Sequence, residues 1–486
     1  MGKARFAGIL VASGAVALGV LLPAAVQQPV QGGSALHVFV DGSLIRARMN
    51  VQLTLNPPRK TYERNIVAEH AWEGMGVGYS SVMEDGGQFR MWYECNAEEV
   101  REAGEPGSFT NMCYATSSDG IHWRKPMLGV VSFRGSTRNN IVLENVVGTI
   151  FIDPKRTDGE RFKFAGRQKP DRGLVIFTSP DGLRWKRQGD KPVLSRGQYD
   201  TQNVAFWDAR LQKYVAYVRR WDREPDRLCC RQVGRSETAD LKTWPEPEIV
   251  FGLDKQDPAE ADVYTPAVIP YPRVPGLYLM FPSFYYHYDP RTHANRRNLG
   301  PLDIHFAASR DGIAWQRVQR APYVGLGPDG AFDSGALYMA IGMFIKGDEI
   351  WMYYTSYDFL HGDHADKLRE SGVISRLVQR VDGFVSADAS YEGGELTTVP
   401  ISISGTRLAL NIDTGALGTA RVELLDETGR PIAGYRASDS DIINGNATRR
   451  IVTWKGNADL SSLRGRTVAL RFVTRSTKLY AFQFVS

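Results

Sequence analysis

A short turn motif recurs along the chain, and no other feature restricts its fold so strongly. Ser118-Asp119-Gly120-Ile121-His122-Trp123, Pro180-Asp181-Gly182-Leu183-Arg184-Trp185 and Arg310-Asp311-Gly312-Ile313-Ala314-Trp315 share one pattern. Ala239-Asp240-Leu241-Lys242-Thr243-Trp244 keeps the Asp and the Trp and loses the Gly. Asp accepts hydrogen bonds from turn amides, and Gly takes the positive φ that a tight turn needs. The Trp is then free to pack on the next strand. An alternating, strand-like run precedes each turn, at 112–117, 174–179, 232–236 and 304–309. Each unit therefore reads as a hairpin motif.

Two more strand-like runs precede each of these, at 76–83 and 88–95, 148–152 and 161–166, 201–207 and 213–219, and 262–269 and 277–281. A fifth set, 335–341, 349–355 and 372–378, continues the scheme without a recognisable Asp/Trp turn. Four strands repeated about five times, with almost no helical periodicity, predict an all-β chain built on a five-bladed β-propeller. Two β-sandwiches would not space four such turns at blade-like intervals. From about Gly394 the texture changes to short β runs at 407–412, 420–425, 450–454, 467–473 and 479–485. That stretch reads as a small β-sandwich, with Trp454 a lone, exposed aromatic. The expected organisation is a catalytic propeller over 36–393 and a sandwich over 394–486, behind a segment at 1–35.

That first segment carries Lys3 and Arg5 ahead of an uncharged run over 6–26, with small residues at Gly33-Ser34-Ala35. It reads as a secretory signal peptide, or as an uncleaved membrane anchor, since the run is just long enough to span a bilayer. The expected location is secreted or periplasmic, with membrane contact only if the segment is retained. Four cysteines suit an exported protein: Cys95 and Cys113 flank neighbouring strand-like runs and suggest a disulfide across a hairpin. Cys229-Cys230 reads as a pair of buried thiols. No Cys/His spacing resembles a zinc site, so neither metal nor other cofactor is expected. The net charge of +5 is mild over 486 residues and contains no long basic block, so nucleic acid is not an implied partner.

In a propeller the innermost strands line a central channel, and acids at their start collect at one mouth. Glu84-Asp85, Asp153, Asp208 and Asp348 fall between first and second strands and read as hairpin residues. Four other acids precede first strands: Glu73 in Trp72-Glu73-Gly74, Asp200 in Tyr199-Asp200-Thr201, Asp262 in Ala261-Asp262-Val263, and Asp333 in Phe332-Asp333-Ser334. A ring of carboxylates is what acid–base chemistry on a glycosidic bond requires, because one must stay protonated while another is ionised. Glu73, Asp200, Asp262 and Asp333 are therefore the catalytic candidates. The competing reading has them capping turns or pairing with Arg219, Arg220 or Arg296. Sugar rings stack on aromatic faces and their hydroxyls bond Asn and His, so Asn203, Arg219, Tyr264, Tyr285, Tyr357 and His361 are the substrate-binding candidates. The loops 284–289 and 361–364 form the expected substrate walls.

The five-unit layout with its C-terminal sandwich resembles the glycoside hydrolase family 32 and 43 superfamily of β-fructosidases and arabinanases, over nearly all of 67–486. The repeated strand–Asp-Gly–Trp units, such as 114–123, and the ring of first-strand acids carry the resemblance. It implies a propeller glycosidase acting on a poly- or oligosaccharide. The Asn-Asp-Pro-Asn-Gly motif of invertases is absent, and the short matches Ile152-Asp153-Pro154 and Glu94-Cys95 fall at the wrong places in the layout. Asp153 and Glu94 therefore inherit no role from them. The Asp-Gly–Trp turns are also similar to the Asp boxes of sialidases, which carry one more residue between Asp and Gly. A sialidase-like hydrolase, a non-catalytic carbohydrate-binding propeller and a surface-anchored interaction protein are the alternatives.

Overall fold

Each repeated turn buckles one blade to the blade before it. The Asp Oδ1 accepts two backbone N–H groups, from Ile121 and His122, Leu183 and Arg184, and Ile313 and Ala314, each at 2.7–2.8 Å. Gly120, Gly182 and Gly312 take φ of 76°, 75° and 77°. That conformation turns their carbonyls toward the neighbouring blade, where Tyr353, Trp92 and Tyr217 donate to them. Trp123 and Trp315 then pack edge-on against Tyr353 and Tyr217, with ring centres 5.8 and 5.9 Å apart. The third unit departs from the pattern: Leu241 stands at the Gly position with φ 62°, and the Trp244 indole donates back to its carbonyl.

This computed structural model describes residues 35–100, 106–156, 159–221, 231–287, 299–363 and 370–486. The candidate export segment, Cys229-Cys230, Arg296, and the ends of the two expected wall loops lie outside the described residues. Among the described residues all regular structure is strand or short 3-10 turn.

Blade 1 runs Val77–Asp85, Gln88–Val100, Pro106–Ser117 and Ile141–Leu143, antiparallel and in chain order from the centre outward. Blade 2 has Val146–Ile152, Phe162–Gln168, Leu174–Ser179 and Lys186–Arg187. Blade 3 has Val204–Asp208, Lys213–Trp221, Arg231–Thr238 and Glu248–Phe251. Blade 4 is broken midway into paired halves, Ala261–Thr265 with Ser283–Tyr286 and Val268–Pro270 with Tyr278–Met280, by a register shift between Val263 and Thr265. Blade 5 has Ala336–Met339, Glu349–Tyr357 and Val373–Arg380, and its outer strand comes from Arg59–Lys60 and Ile66–Val67. Residues from the other end of the sequence thus close the ring and cover the exposed edge that an unpartnered last strand would leave.

The sandwich draws on both ends of the chain. Leu36–Val38 and Val51–Leu55 join the sheet of Val385–Ala389, Arg407–Asp413, Asn446–Ile451 and Thr477–Val485. Ile45–Met49 joins Gly394–Thr398, Ile401–Ser402, Thr419–Leu425 and Thr467–Arg475. The expected propeller span of 36–393 therefore includes strands that pair within the sandwich. Strand partners are chosen by open edges and matching apolar faces far apart in sequence, and spacing carries no record of them. Trp454 is buried at 3% exposure with its indole donating to Val422 O, against the expectation of an exposed aromatic. Cys95 and Cys113 form a disulfide between adjacent strands of blade 1.

Candidate functional site

The starts of the first strands and the ends of the second strands meet at one face of the propeller. Gln202, fully buried at the entry to blade 3, donates to Met339 O of blade 5 at 2.7 Å. A cavity of about 330 Å³ is walled by Gly78, Tyr79, Glu94, Val147, Asp200, Ala336, Tyr338, Tyr357, Phe359, His361 and Asp363 among others. The aromatic rings stand edge to face: Tyr79 on Tyr338 at 5.3 Å, Tyr357 on Tyr338 at 6.0 Å, and Tyr264 on Tyr285 at 5.6 Å. Tyr264 also tilts against His361 at 4.6 Å. Guanidinium groups of Arg219 and Arg231 lie over Tyr264 at 4.8 and 5.1 Å.

Three carboxyl residues line this cavity, Glu94, Asp200 and Asp363, and the first two stand in opposite environments. Glu94 lies midway along Gln88–Val100 and is buried at 6% exposure. Burial pushes its carboxyl well above the usual glutamate range, and backbone N–H groups of Tyr79 and Gly148 offset this only in part. Its Oε1 has no hydrogen-bond partner among the described residues. Room for this side chain depends on Gly78, where a Cβ would stand 2.7 Å from Glu94 Oε2. Asp200 is half-exposed, with Arg219 Nη1 at 3.2 Å and Arg167 Nη1 at 3.9 Å. One cavity thus carries a carboxyl that burial pushes toward its neutral form and another left half-exposed beside two guanidinium groups, a contrast of surroundings that acid–base work can use.

Behind the wall, Asp262 is buried between Arg231 Nη1 at 2.7 Å and His287 Nε2 at 3.1 Å. Burial, together with Arg231 and Arg219, lowers His361 to about 4, so its ring is neutral at pH 7, with Nδ1 at 3.0 Å from Tyr338 Oη. Neutral His361 and the Tyr357 face line the cavity, whereas Tyr285 is fully buried, its hydroxyl without a partner among the described residues. Asn203 is buried too, and its amide donates to Tyr199 O and Thr201 O at 2.8 Å, which folds the loop that presents Asp200.

Glu73 and Asp333 match each other in structure as they do in sequence, but neither walls the cavity. Each is fully buried against a lysine and a tyrosine: Glu73 with Lys125 at 2.9 Å and Tyr93 at 2.6 Å, Asp333 with Lys60 at 2.6 Å and Tyr354 at 3.1 Å. Glu73 also accepts the Glu69 and His70 amides, as a cap for the 3-10 turn Ala71–Glu73. Their carboxylates are spent on holding blade edges together. The hairpin acids do similar work on the opposite face, where Tyr214 donates to Asp153 at 2.6 Å and Tyr278 donates to Asp208. Glu94 is the residue that motif reading passed over. Its signal in the sequence is an acid set directly among large apolar residues, Met91-Trp92-Tyr93-Glu94-Cys95.

No family profile matches the chain. A curated relative, an uncharacterized protein of Mycobacterium tuberculosis, is 27% identical over 157 residues, covering 31% of this chain and 49% of that protein. The chain spans about half the length of the curated relatives it matches. Similar solved structures include a glycoside hydrolase at 16% identity and TM-score 0.45, covering 66% of this chain and 92% of that one. An N-acetylgalactosamine deacetylase from F. plautii, in complex with blood group B trisaccharide, is 16% identical at TM-score 0.44, over 68% and 95% of the two chains. A family 43 arabinoxylan arabinofuranohydrolase from Bacillus subtilis is 12% identical at TM-score 0.39, over 88% and 99%.

Proposed function

We propose that this chain is a glycoside hydrolase whose general acid is Glu94 and whose second carboxylate is Asp200. The observation that carries the proposal is the pair itself: a carboxyl kept protonated by burial and a half-exposed carboxylate, both walls of one tyrosine-lined cavity. Glu94 would pass its proton to the glycosidic oxygen as the bond breaks, and Asp200 would activate water or attack the anomeric carbon from the other side. The faces of Tyr79, Tyr338 and Tyr357 offer stacking surface for sugar rings. Asp262 stays behind the wall and fixes Arg231, which lies over Tyr264 and Tyr285.

The Cys95–Cys113 disulfide supports an exported protein, secreted or periplasmic, held at a membrane only if the first segment is retained. One observation favours a propeller that binds glycans without turnover: two guanidinium groups already face Asp200. Aryl glycosides and polysaccharides assayed with wild type and Asp200→Asn separate the two. Turnover that falls at least about 100-fold in the variant supports hydrolysis. Glycan binding with no turnover in either protein supports the binding module.

A further inference from the structure

Beside the funnel cavity lies a second one of about 410 Å³, at the rim between blades 2 and 3. Its walls are Arg167, Arg172, Gly197, Gln198, Tyr199 and Asp200, so Asp200 is common to both cavities. A chain-like ligand with one sugar in the funnel extends past Asp200 into this space.

The charges there do not balance. Arg167 is held through its Nε by Asp171 O at 2.9 Å, which leaves Nη1 3.9 Å from Asp200, beyond hydrogen-bond length. Asp200 is nearer to Arg219, at 3.2 Å. The Asp171 carboxylate, the other acid at hand, is taken by Arg187 at 2.6 Å. Arg172 is exposed and makes no hydrogen bond or ion pair with any described residue. The guanidinium groups of Arg167 and Arg219 thus flank one carboxylate, and that of Arg172 lines the same space as Asp200 without an acid of its own. Such groups repel one another, and their planar forks match carboxylate, sulfate or phosphate oxygens two at a time.

We propose that the glycan taken by this site is acidic, with an anionic substituent on a sugar next to the funnel held by Arg172 and Arg167. This rests on the hydrolase reading for the identity of the funnel and deepens it by naming the substrate class. Carboxylate, sulfate and phosphate share the chemistry that the two forks recognise, and the probes tell them apart.

The test is calorimetric binding of the full chain to an oligogalacturonide, a sulfated oligosaccharide, a phosphorylated oligomannoside and a neutral arabino-oligosaccharide. At least one acidic probe is expected to bind about 10- to 100-fold more tightly than the neutral one, with a preference that shrinks as salt rises. In Arg172→Gln the acidic-to-neutral ratio collapses toward one, and in Arg172→Lys it is only partly kept. Melting temperatures equal to wild type show that the variants fold. A neutral probe that binds as tightly as all three acidic ones overturns the proposal, as does an acidic preference unchanged in Arg172→Gln. Acidic probes bound with this arginine dependence but never cleaved would remove the hydrolase reading and leave the subsite standing. Cleavage of neutral glycans with no acidic preference would do the reverse.

Discussion

Replacing Glu94 by Gln takes away a proton while keeping the size and neutrality of the group that the cavity holds. The wild-type carboxyl is kept protonated well above its ordinary value of 4.5 by burial, so an amide is the closer mimic of its working state. Without a transferable proton, kcat/KM on an unactivated glycan should fall by about 10²- to 10⁴-fold. The loss should be much smaller on a dinitrophenyl glycoside, whose leaving group departs without help. The alkaline limb of the wild-type pH profile should vanish in the variant.

Stability supplies a second reading of the same change. A folded-state value above the unfolded one means that Glu94 contributes its full stability below about pH 4.5 and loses it as pH rises toward the folded value. Each unit of that interval costs wild type about 1.4 kcal/mol, and Gln costs nothing because it does not titrate. Urea unfolding of both proteins from pH 4 to pH 8 should show wild type weakening relative to Glu94→Gln. Full activity of the variant on glycan, or parallel stability curves, would refute the assignment of a buried protonated acid.

Three further outcomes follow from the packing. Lys125→Met or Lys60→Met leaves Glu73 or Asp333 buried and unpaired and should cost about 3–5 kcal/mol in urea unfolding, while kcat of the folded fraction stays at the wild-type value. Tyr217→Phe strips the donor from the Gly312 carbonyl and should cost about 1 kcal/mol, read as a lower melting temperature with unchanged glycan affinity. Replacing both Cys95 and Cys113 by Ala opens a loop with a sequence separation of 18 and should cost about 3 kcal/mol, measured under non-reducing conditions against wild type.

The blades were legible in the sequence because their defining contacts are local. Asp119 reaches amides two and three residues on, and Gly120 needs only its own φ, so the motif records the turn within six residues. The same locality explains why the hairpin acids Asp153 and Asp208 were separable from the mouth acids. It also explains why the lysine partners of Glu73 and Asp333 are not written in their local context. Their partners Lys125 and Lys60 lie 52 and 273 residues away in sequence, and nothing in the aromatic–acid–small context announces them. The pairing of the strands at 36–55 is hidden for a related reason, since their partners stand at the far end of the chain.

What the sequence by itself determined is the repeat, and with it the all-β class, the number of blades and the face on which a site would form. Short-range hydrogen bonding and strand alternation suffice for that. The tertiary structure alone decided which carboxyls face the cavity and in which surroundings. That choice depends on desolvation and on charges delivered from other blades: Glu94 closed in by Tyr79 and Gly78, Asp200 left open beside Arg219, and Glu73 and Asp333 buried against Lys125 and Lys60.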